Sequence, residues 1–357
     1  MQECQRLLPS NRMNDRMPRR VNKPKSPTPE SDQPAAAPFK LSQVNFKVRQ
    51  LALLSALAET GTLRAAAERI HVSQPGATRL LKELEAMLGV PLFERTKGKM
   101  QVTSAGQMMM SHAVSLQNRM VNAYTDTRDA SRGQSGSLRL GLFGSVDPGF
   151  LASCTAELLQ RFEHLQLNIV EAPQNLLVGA VRRCELDAAI GRLIGSENEP
   201  DVRHQLLYME TFSVVCGAAH PLARRPQPPS AEDLVQAAWI LPPRTTFLRQ
   251  RIDAYFVATC GRVPTVRVES LSLLGCLSLL ASTSNLCVLA GGVANFFAES
   301  GRLHVLVPNF GPIESPVALM TRADAPPRPA VEALLDIMKA VRPPAPSAGP
   351  RSGPVQA

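Results

Sequence analysis

The apolar residues in the first third of the chain recur every three or four positions, which is the period of an α-helix. They form three short runs that predict helices over residues 48–58, 63–70 and 74–88. Gly61 is placed to end the first run, while Thr62 and Ser73 are good N-caps for the second and third. Pro75 falls in a first turn, where its missing N–H is harmless. Three short helices joined by tight turns indicate a helix-turn-helix unit.

Two further elements are predicted before the chain changes character. Residues 90–102 predict a short hairpin, or wing, with basic side chains around Gly98. Residues 104–129 predict a long helix capped by Thr103, whose apolar and small residues are spaced by four and three. That seam consists of Met109, Ala113, Leu116, Met120, Ala123, Thr127 and Ala130. It favours pairing with a second subunit, although a helix packed on its own domain has the same pattern.

After a hinge at residues 132–136, short strands alternate with helices. The predicted strands lie at 138–142, 167–170, 188–191, 212–216, 238–241, 265–268 and 286–290. The predicted helices lie at 148–163, 175–183, 231–235, 246–258, 271–281 and 330–341. This alternation predicts an α/β domain with a parallel sheet. Residues 270–298 carry no charge, but a polar run at 282–285 and two glycines divide them, so no membrane span is expected.

The 357 residues carry a net charge of +9, and this positive charge is concentrated in the N-terminal third of the chain. Residues 1–40 hold eight basic and four acidic residues, 41–106 hold nine and five, and 107–357 hold 22 and 21. A polyanion would therefore bind near the N-terminus. The proline-rich tails, 1–40 and 343–357, are expected to be disordered. The first is either the product of an early start codon or an arm that touches DNA.

The third predicted helix carries side chains suited to DNA. In a helix-turn-helix the last helix enters the major groove with its N-terminal end leading. Gln74 can hydrogen-bond a base edge, and Thr78 can contact a base, a thymine methyl or a phosphate. Phosphate contacts are expected from Ser73, Arg79, Lys82 and the wing residues Arg95, Lys97 and Lys99. A solvated polar face would carry the same residue types.

Several sequence pieces stand at fixed spacing over residues 51–106. They are Ala66-Ala67, Val72-Ser73-Gln74-Pro75, Leu80, Leu84-Glu85, Leu88-Gly89-Val90, Leu92-Phe93-Glu94-Arg95 and Thr103-x-x-Gly106. This run resembles the winged helix-turn-helix of LysR-type transcriptional regulators, although the family usually has alanine at Gly76. The resemblance implies that the long helix pairs antiparallel with a second subunit. It also implies that the DNA-facing residues are Ser73, Gln74, Pro75, Thr78 and Arg79.

The later part of the chain carries Glu185-Leu186-Asp187-x-Ala189-Ile190-Gly191, His220-Pro221-Leu222 and Leu279-Leu280-Ala281. These pieces resemble the two-lobed, periplasmic-binding-protein-like (type 2) effector domain of the same family, in this chain over residues 137–342. The departures are Cys184 and Ala290, where the family favours glycine and proline. Lobe I is expected to comprise about 137–210 and 270–342, and lobe II about 211–269.

An effector site is expected between the two lobes. Ligands of open α/β sheets bind at the carboxyl ends of strands and at helix N-termini. Free N–H groups and hydroxyls there favour a small anion such as a carboxylate, and an arginine could supply its charge partner. The candidate residues are Gly144, Ser145, Arg244, Thr245, Thr246 and Ser270. Ordinary N-capping by the hydroxyl residues would fit the same sequence.

No catalytic, metal-binding or nucleotide motif stands out, so neither an enzyme nor a cofactor is expected. The seven scattered cysteines fit a reduced, cytoplasmic protein. The function expected is a sequence-specific DNA-binding transcriptional regulator controlled by a small molecule. Its expected partners are double-stranded DNA, further copies of the chain in a dimer or tetramer, and RNA polymerase, with no membrane. Two alternatives stay open: a solute-binding receptor with an appended helical domain, and a nonspecific architectural DNA-binding protein.

Overall fold

The structure is a computed structural model that describes residues 45–96, 99–131, 136–193, 199–311, 313–325 and 328–341. The two tails expected to be disordered lie outside these ranges, as do the wing tip and the hinge at 132–135. None of the helices within the described ranges has the length and apolarity needed to cross a lipid bilayer.

The first domain contains the predicted helices and wing. Its elements are α1 (Val48–Thr60), α2 (Leu63–Arg69), α3 (Gln74–Leu88), β1 (Phe93–Thr96) and β2 (Lys99–Val102). The predicted caps are confirmed, because the Thr62 hydroxyl accepts the Ala65 N–H (3.3 Å) and the Ser73 hydroxyl accepts the Gly76 N–H (3.2 Å). Gly61 ends α1 with φ at +70°, a left-handed conformation that favours glycine.

A single core holds these helices against the start of the next helix, α4 (Ser104–Ser131). Leu54, Ala66 and Ala77 are fully buried in it. Methyl side chains at the last two positions leave little bulk between the helices, which lets α2 and α3 pack closely. This first domain, called the head domain below, therefore sets the direction in which α3 presents its polar face.

Helix α4 is shared between two regions of the molecule. Its first turns belong to the head domain, where Met110 and Ala113 are buried. Its middle contacts the C-terminal domain, because the Asn118 amide donates to the Arg183 carbonyl at 2.8 Å. The predicted helix over 104–129 is confirmed, and it ends two residues later than expected.

The C-terminal domain is built on a nine-stranded sheet. Its strands are β3 (Ser137–Leu142), β4 (Gln166–Glu171), β5 (Ala188–Arg192), β6 (Val202–Gly217), β7 (Ala238–Leu241), β8 (Thr265–Glu269), β9 (Asn285–Ala290), β10 (Leu303–Val307) and β11 (Glu314–Arg322). Its helices are α5 (Pro148–Arg161), α6 (Gln174–Arg182), α7 (Ala231–Gln236), α8 (Phe247–Cys260), α9 (Leu273–Ser282), α10 (Gly291–Glu299) and α11 (Pro329–Val341). The strand order is β4-β3-β5-β11-β6-β9-β7-β8, and β10 pairs with β6.

Strand β6 runs through both lobes. Its first ten residues pair with β11, and its last residues pair with β9 and β10. Each lobe has helices on both sides of its part of the sheet, with α5 and α11 opposite α6 in the first, and α7 and α8 opposite α9 and α10 in the second. The chain passes from lobe I to lobe II along β6 and returns after β10. The two passages lie side by side, because the Phe310 N–H donates to the Phe212 carbonyl at 2.6 Å.

The structure corrects two sequence predictions about this domain. The sheet is mixed rather than parallel, because β6, β10 and β11 run antiparallel to their neighbours. The predicted resumption of lobe I at residue 270 is also wrong. Strand β9 pairs with β7 and with the end of β6, which places residues 273–307 in lobe II. Lobe I resumes only at β11.

Candidate DNA-binding and effector sites

The N-terminal end of α3 is an exposed polar surface. Gln74, Pro75, Arg79 and Lys82 are exposed, and Thr78 is half-buried. The Ser73 hydroxyl is occupied as the N-cap of α3, and the Thr78 hydroxyl donates to the Gln74 carbonyl at 3.0 Å. The exposed polar groups left at this end are therefore the Gln74 amide and two cations, Lys82 and the Glu83-paired Arg79.

Glu83 holds two cations on this surface. Its carboxylate accepts from Arg79 Nε at 2.9 Å and from Lys47 Nζ at 2.8 Å. Hydrogen bonds from Lys47, and then from Arg79, lower the pKa of Glu83. Because the Arg79 side chain is 83 % exposed, solvent screens this pair strongly. A phosphate could therefore displace Glu83 from Arg79 at small cost.

Hydrogen bonds fix the wing to α3 and to the start of α4. The Glu85 carboxylate accepts the N–H groups of Leu92 (2.8 Å) and Phe93 (3.1 Å). The Thr103 hydroxyl donates to the Leu92 carbonyl and also caps α4 by accepting the Gly106 N–H. A Cβ on Gly106 would lie 2.0 Å from the Leu92 oxygen, so only glycine fits this crossing. The spacing Thr103-x-x-Gly106 thus has a local structural cause.

The predicted wing residues are only partly within view. Arg95 and Lys99 belong to β1 and β2, but their side chains lie outside the described part of the structure, as does the whole of Lys97. The hairpin itself is confirmed by the pairing of Phe93 with Val102 and of Thr96 with Lys99.

The predicted dimer seam divides into a buried and an exposed part. Ala113 is fully buried in the core of the head domain, and Met109 packs against that core, so these two residues contact their own domain. The later seam residues Leu116, Met120, Ala123 and Thr127 are exposed. They share this stretch of α4 with two further large exposed apolar residues, Val121 and Tyr124.

A narrow cleft lies in lobe I, beside the point where β6 enters lobe II, with about 160 Å³ of empty space that includes space open to solvent. It is lined by Phe143, Ser145, Val146, Gly191, Arg192, Tyr208, Glu210 and Val317. Arg192 ends β5, while Tyr208 and Glu210 lie on one face of β6 because side chains alternate along a strand. The cleft is therefore built by the sheet and by the loop after β3.

The centre of the cleft is a buried ion pair. One nitrogen of the Arg192 guanidinium, Nη2, donates to Glu210 Oε2 and to Ser145 Oγ, the latter at 2.7 Å. The same guanidinium lies 5.0 and 4.8 Å from the ring centres of Phe143 and Phe212. The two paired side chains are 8 % and 5 % exposed. Their charges therefore interact in a poorly hydrated environment.

Burial shifts the protonation of the cleft. It raises the pKa of Glu210 to about 7, against the opposing effect of Arg192, and Asp147 adds a smaller upward push. Burial also raises the pKa of Tyr208. Asp147 caps α5 by accepting the N–H groups of Gly149 and Phe150, and a Cβ on Gly292 would lie 2.1 Å from its second oxygen. Asp147 therefore bridges the first turns of α5 in lobe I and α10 in lobe II.

Three buried polar atoms at this site lack a hydrogen-bond partner among the described residues. They are Nε of Arg192, the Tyr208 hydroxyl and Oγ of Ser315. Ser315 is fully buried and pairs directly opposite Glu210 in the sheet, so it lies on the same face. Unpaired buried donors are costly, and a bound ligand could satisfy them.

The predicted effector residues do not all come together. Ser145 lines the cleft, and Gly144 precedes it in the same loop, whereas Arg244, Thr245, Thr246 and Ser270 do not line it. Thr246 caps α8, and Arg244 and Thr245 are exposed. The alternative role of Ser270 as an ordinary N-cap does not hold, because Ser272 caps α9 and the Ser270 hydroxyl accepts the Ser272 N–H.

Sequence reasoning missed Arg192, Glu210, Tyr208 and Asp147. The usable signal was an arginine directly after the buried run Ala188–Gly191, because a charge at the end of a buried strand requires a partner. That partner, Glu210, is 18 residues away and meets Arg192 only through strand pairing.

Comparison with known proteins identifies the family of the chain. The family model described as "Bacterial regulatory helix-turn-helix protein, lysR family" matches residues 48–107, and "LysR substrate binding domain" matches residues 131–343. The chain belongs to the LysR family. It is a DNA-binding transcriptional regulator with an effector-binding domain, and its LysR relatives are regulators rather than enzymes.

The relatives and solved structures agree with this assignment. The regulator GbpR of Azospirillum brasilense is 32 % identical over 259 residues, 72 % of this chain and 76 % of its own. YdcI of Escherichia coli K12, a regulator described as uncharacterized, is 26 % identical over 78 % of this chain and 91 % of its own. A full-length OxyR variant from Pseudomonas aeruginosa superposes with a TM-score of 0.59 at 26 % identity, covering 86 % of this chain and all of its own. CbnR bound to its target DNA has the same fold, with a TM-score of 0.58 at 20 % identity over 83 % of this chain and all of its own.

Proposed function

We propose that this LysR-family regulator reads its operator with the exposed end of α3. The observation that carries the proposal is the grouping of Gln74, Arg79 and Lys82 on one exposed face, opposite the leucines buried in the core. Gln74 reads a base edge, and the two cations and the wing position the helix on the phosphates. Ser73, Pro75 and Thr78 complete the surface that faces the DNA. We propose further that the protein acts on DNA in the cytoplasm, with RNA polymerase as a second partner.

The test is fluorescence anisotropy with labelled DNA from upstream of the gene, with random DNA as the comparison. Gln74→Ala should lose about tenfold or more in affinity for the specific site and little on random DNA. Arg79→Ala should weaken both and lower the salt slope by about one.

The matched control for Arg79 is Arg64→Ala. Arg64 is an equally exposed arginine on α2 that also pairs with a glutamate four residues later. The Arg64→Ala variant removes the same positive charge at a position that is not on α3, so its loss of DNA affinity should be smaller than that of Arg79→Ala. Equal losses at the two positions, or specific binding by Gln74→Ala at the wild-type level, would show that α3 does not read the operator.

The exposed half of the seam on α4 pairs two subunits in this proposal. Leu116, Met120, Val121 and Tyr124 place four large apolar side chains on one exposed stretch of helix, which water penalises in a lone subunit. Light scattering should show a dimer or tetramer that dissociates in Met120→Glu. A monomeric wild-type protein, or an intact oligomer in the variant, would refute the assignment.

The effector binds in the cleft around Arg192 in this proposal. The supporting observations are the buried donors that have no partner in the described part of the chain and a guanidinium that meets its carboxylate through one nitrogen. An anion is the ligand that such donors favour. Asp147 contacts both lobes there, so a ligand that alters the cleft can favour one lobe arrangement over another.

A further inference from the structure

The Arg192–Glu210 pair leaves one side of its guanidinium without a partner. Nη2 makes the contacts with Glu210 and Ser145, while the buried Nε makes none within the described residues. An arginine fork can hold a carboxylate through two parallel N–H bonds, so Arg192 retains capacity for a second acceptor. Tyr208 offers a further buried donor beside it.

We propose that the cleft binds its anionic effector together with one proton. The ligand carboxylate occupies the free side of the Arg192 guanidinium, and the Glu210 carboxylate takes up a proton from solvent. One guanidinium then faces one carboxylate and one carboxylic acid. This inference rests on the proposed function, in which the cleft holds the effector.

The charges around Glu210 make proton uptake the favourable response to a second anion. Arg192 faces it from β5, Asp147 faces it from the start of α5, and Tyr208 lies on its own strand, while Ser315 opposite is uncharged. Asp147 already opposes ionisation of Glu210, and two carboxylates close together in a poorly hydrated site cannot both stay ionised. Burial has raised the pKa of Glu210 to about 7, so a further upward push protonates it at neutral pH.

Proton uptake predicts a distinctive ligand preference. Above about pH 7 the affinity for a carboxylate should fall about tenfold per pH unit, because the binding-competent form of Glu210 is protonated. An uncharged ligand needs no such proton and should bind independently of pH. The cleft therefore senses both an acid metabolite and the local pH.

The experiment is thermal unfolding of the full-length protein at pH 6 and pH 8 with monocarboxylates from formate to benzoate. Each acid is paired with its amide as an uncharged control of the same shape. At least one carboxylate should raise Tm at millimolar concentration, more at pH 6, while its amide does not. Calorimetry of that carboxylate at pH 8, where Glu210 is mostly ionised before binding, should show uptake of about one proton when two buffers of different ionisation enthalpy are compared. At pH 6 the uptake should be close to zero.

Variants of the pair sharpen the test. Glu210→Gln should bind the carboxylate at pH 8 as well as the wild type does at pH 6. The double variant R192Q/E210Q removes both charges together, which avoids a buried unpaired ion, and should lose carboxylate binding. Arg203→Gln, an exposed arginine on the same strand, should leave the pH dependence unchanged.

Several outcomes would overturn the inference. They are equal stabilisation by acid and amide, a carboxylate affinity that does not change with pH, and a series in which no carboxylate binds. If an uncharged compound stabilises the wild type but not the double variant, the cleft remains the effector site and only the proton linkage fails. If nothing binds while operator DNA still does, the effector assignment fails and the DNA-binding assignment stands.

Discussion

The proposed DNA-reading surface and the proposed effector cleft each carry an arginine–glutamate pair, and the two pairs lie in opposite environments. The side chains of Arg79 and Glu83 on α3 are 83 % and 33 % exposed, whereas those of Arg192 and Glu210 in the cleft are 8 % and 5 % exposed. Water screens the first pair, so its two charges separate at little cost. The second pair is desolvated, so deleting either side chain leaves the other in a poorly hydrated environment.

This difference matches what each surface has to do. A DNA-reading arginine must leave its glutamate for a phosphate and return, which a weak exposed pair allows. An effector site must hold one charge arrangement until a ligand replaces it, which a buried pair enforces. Three measurements test this comparison and a fourth tests the packing that holds the wing, and they are given in order of decreasing expected effect.

The largest effect is expected from removing one partner of the buried pair. Glu210→Ala leaves the Arg192 guanidinium buried without a counter-ion, and arginine cannot lose its charge. We expect the free energy of unfolding in urea to fall by about 3–5 kcal/mol. Arg79→Ala should change it by less than about 0.5 kcal/mol. Similar values for the two variants would remove the basis of the comparison.

The second effect is a pH dependence of stability that belongs to Glu210. Its pKa rises from an ordinary value of 4.5 to about 7 in the folded protein, so between these values the folded state binds more protons than the unfolded state. The contribution of this group to stability therefore falls as pH rises from about 4.5 to about 7, by at most about 1.4 kcal/mol per pH unit. Urea unfolding across that range should show the decline in the wild type and a flatter profile in Glu210→Gln. Parallel profiles would contradict it.

The third effect concerns packing in the head domain. Gly106→Ala forces a methyl group to within 2.0 Å of the Leu92 carbonyl oxygen, and backbone must move. We expect a loss of about 1–3 kcal/mol by thermal unfolding and weaker DNA binding, since the wing shifts. The control is Gly76→Ala, where the atom nearest to the new methyl group is the Ser73 hydroxyl at 3.2 Å and no backbone atom is close. A tolerated alanine at Gly106 would show that the crossing is looser than described.

The smallest effect is expected at the exposed pair. Glu83→Gln frees Arg79 and Lys47 for phosphates, so DNA affinity should rise about two- to fivefold, with a steeper salt dependence. Glu68→Gln removes the same charge from the exposed partner of Arg64 on α2 and should raise affinity less. Unchanged binding in Glu83→Gln would mean that Arg79 does not exchange Glu83 for DNA.

The head domain could be predicted almost completely from the sequence because its signals are local. Gly61, Thr62 and Ser73 act on the residues next to them, and the leucine spacing fixes which faces are buried. The recognition surface followed, because it is the face that the leucines leave exposed.

The cleft could not be predicted in the same way, because its residues meet only through the sheet. Arg192 and Glu210 approach each other across β5, β11 and β6, and β11 gave no clear strand signal with Pro316 near its start. The turn residues around Thr246 and Ser270 offered strong capping signals instead. Local chemistry therefore drew attention to helix ends, whereas the buried charges depend on long-range pairing.

Because α4 belongs to both domains, a small tilt of this helix displaces the head domain. Its 28 residues span about 42 Å. Near the middle of the helix, the Asn118 and Asn122 side chains donate hydrogen bonds to the effector-binding domain. The N-terminal end of α4, which is packed into the head domain, lies about 20 Å along the helix from these hydrogen bonds. A tilt of α4 by about 10° about the Asn118–Asn122 contacts would displace its N-terminal end by about 3.5 Å, roughly one base-pair step along DNA. A rearrangement too slight to disturb either lobe could thus move the reading head into the next register.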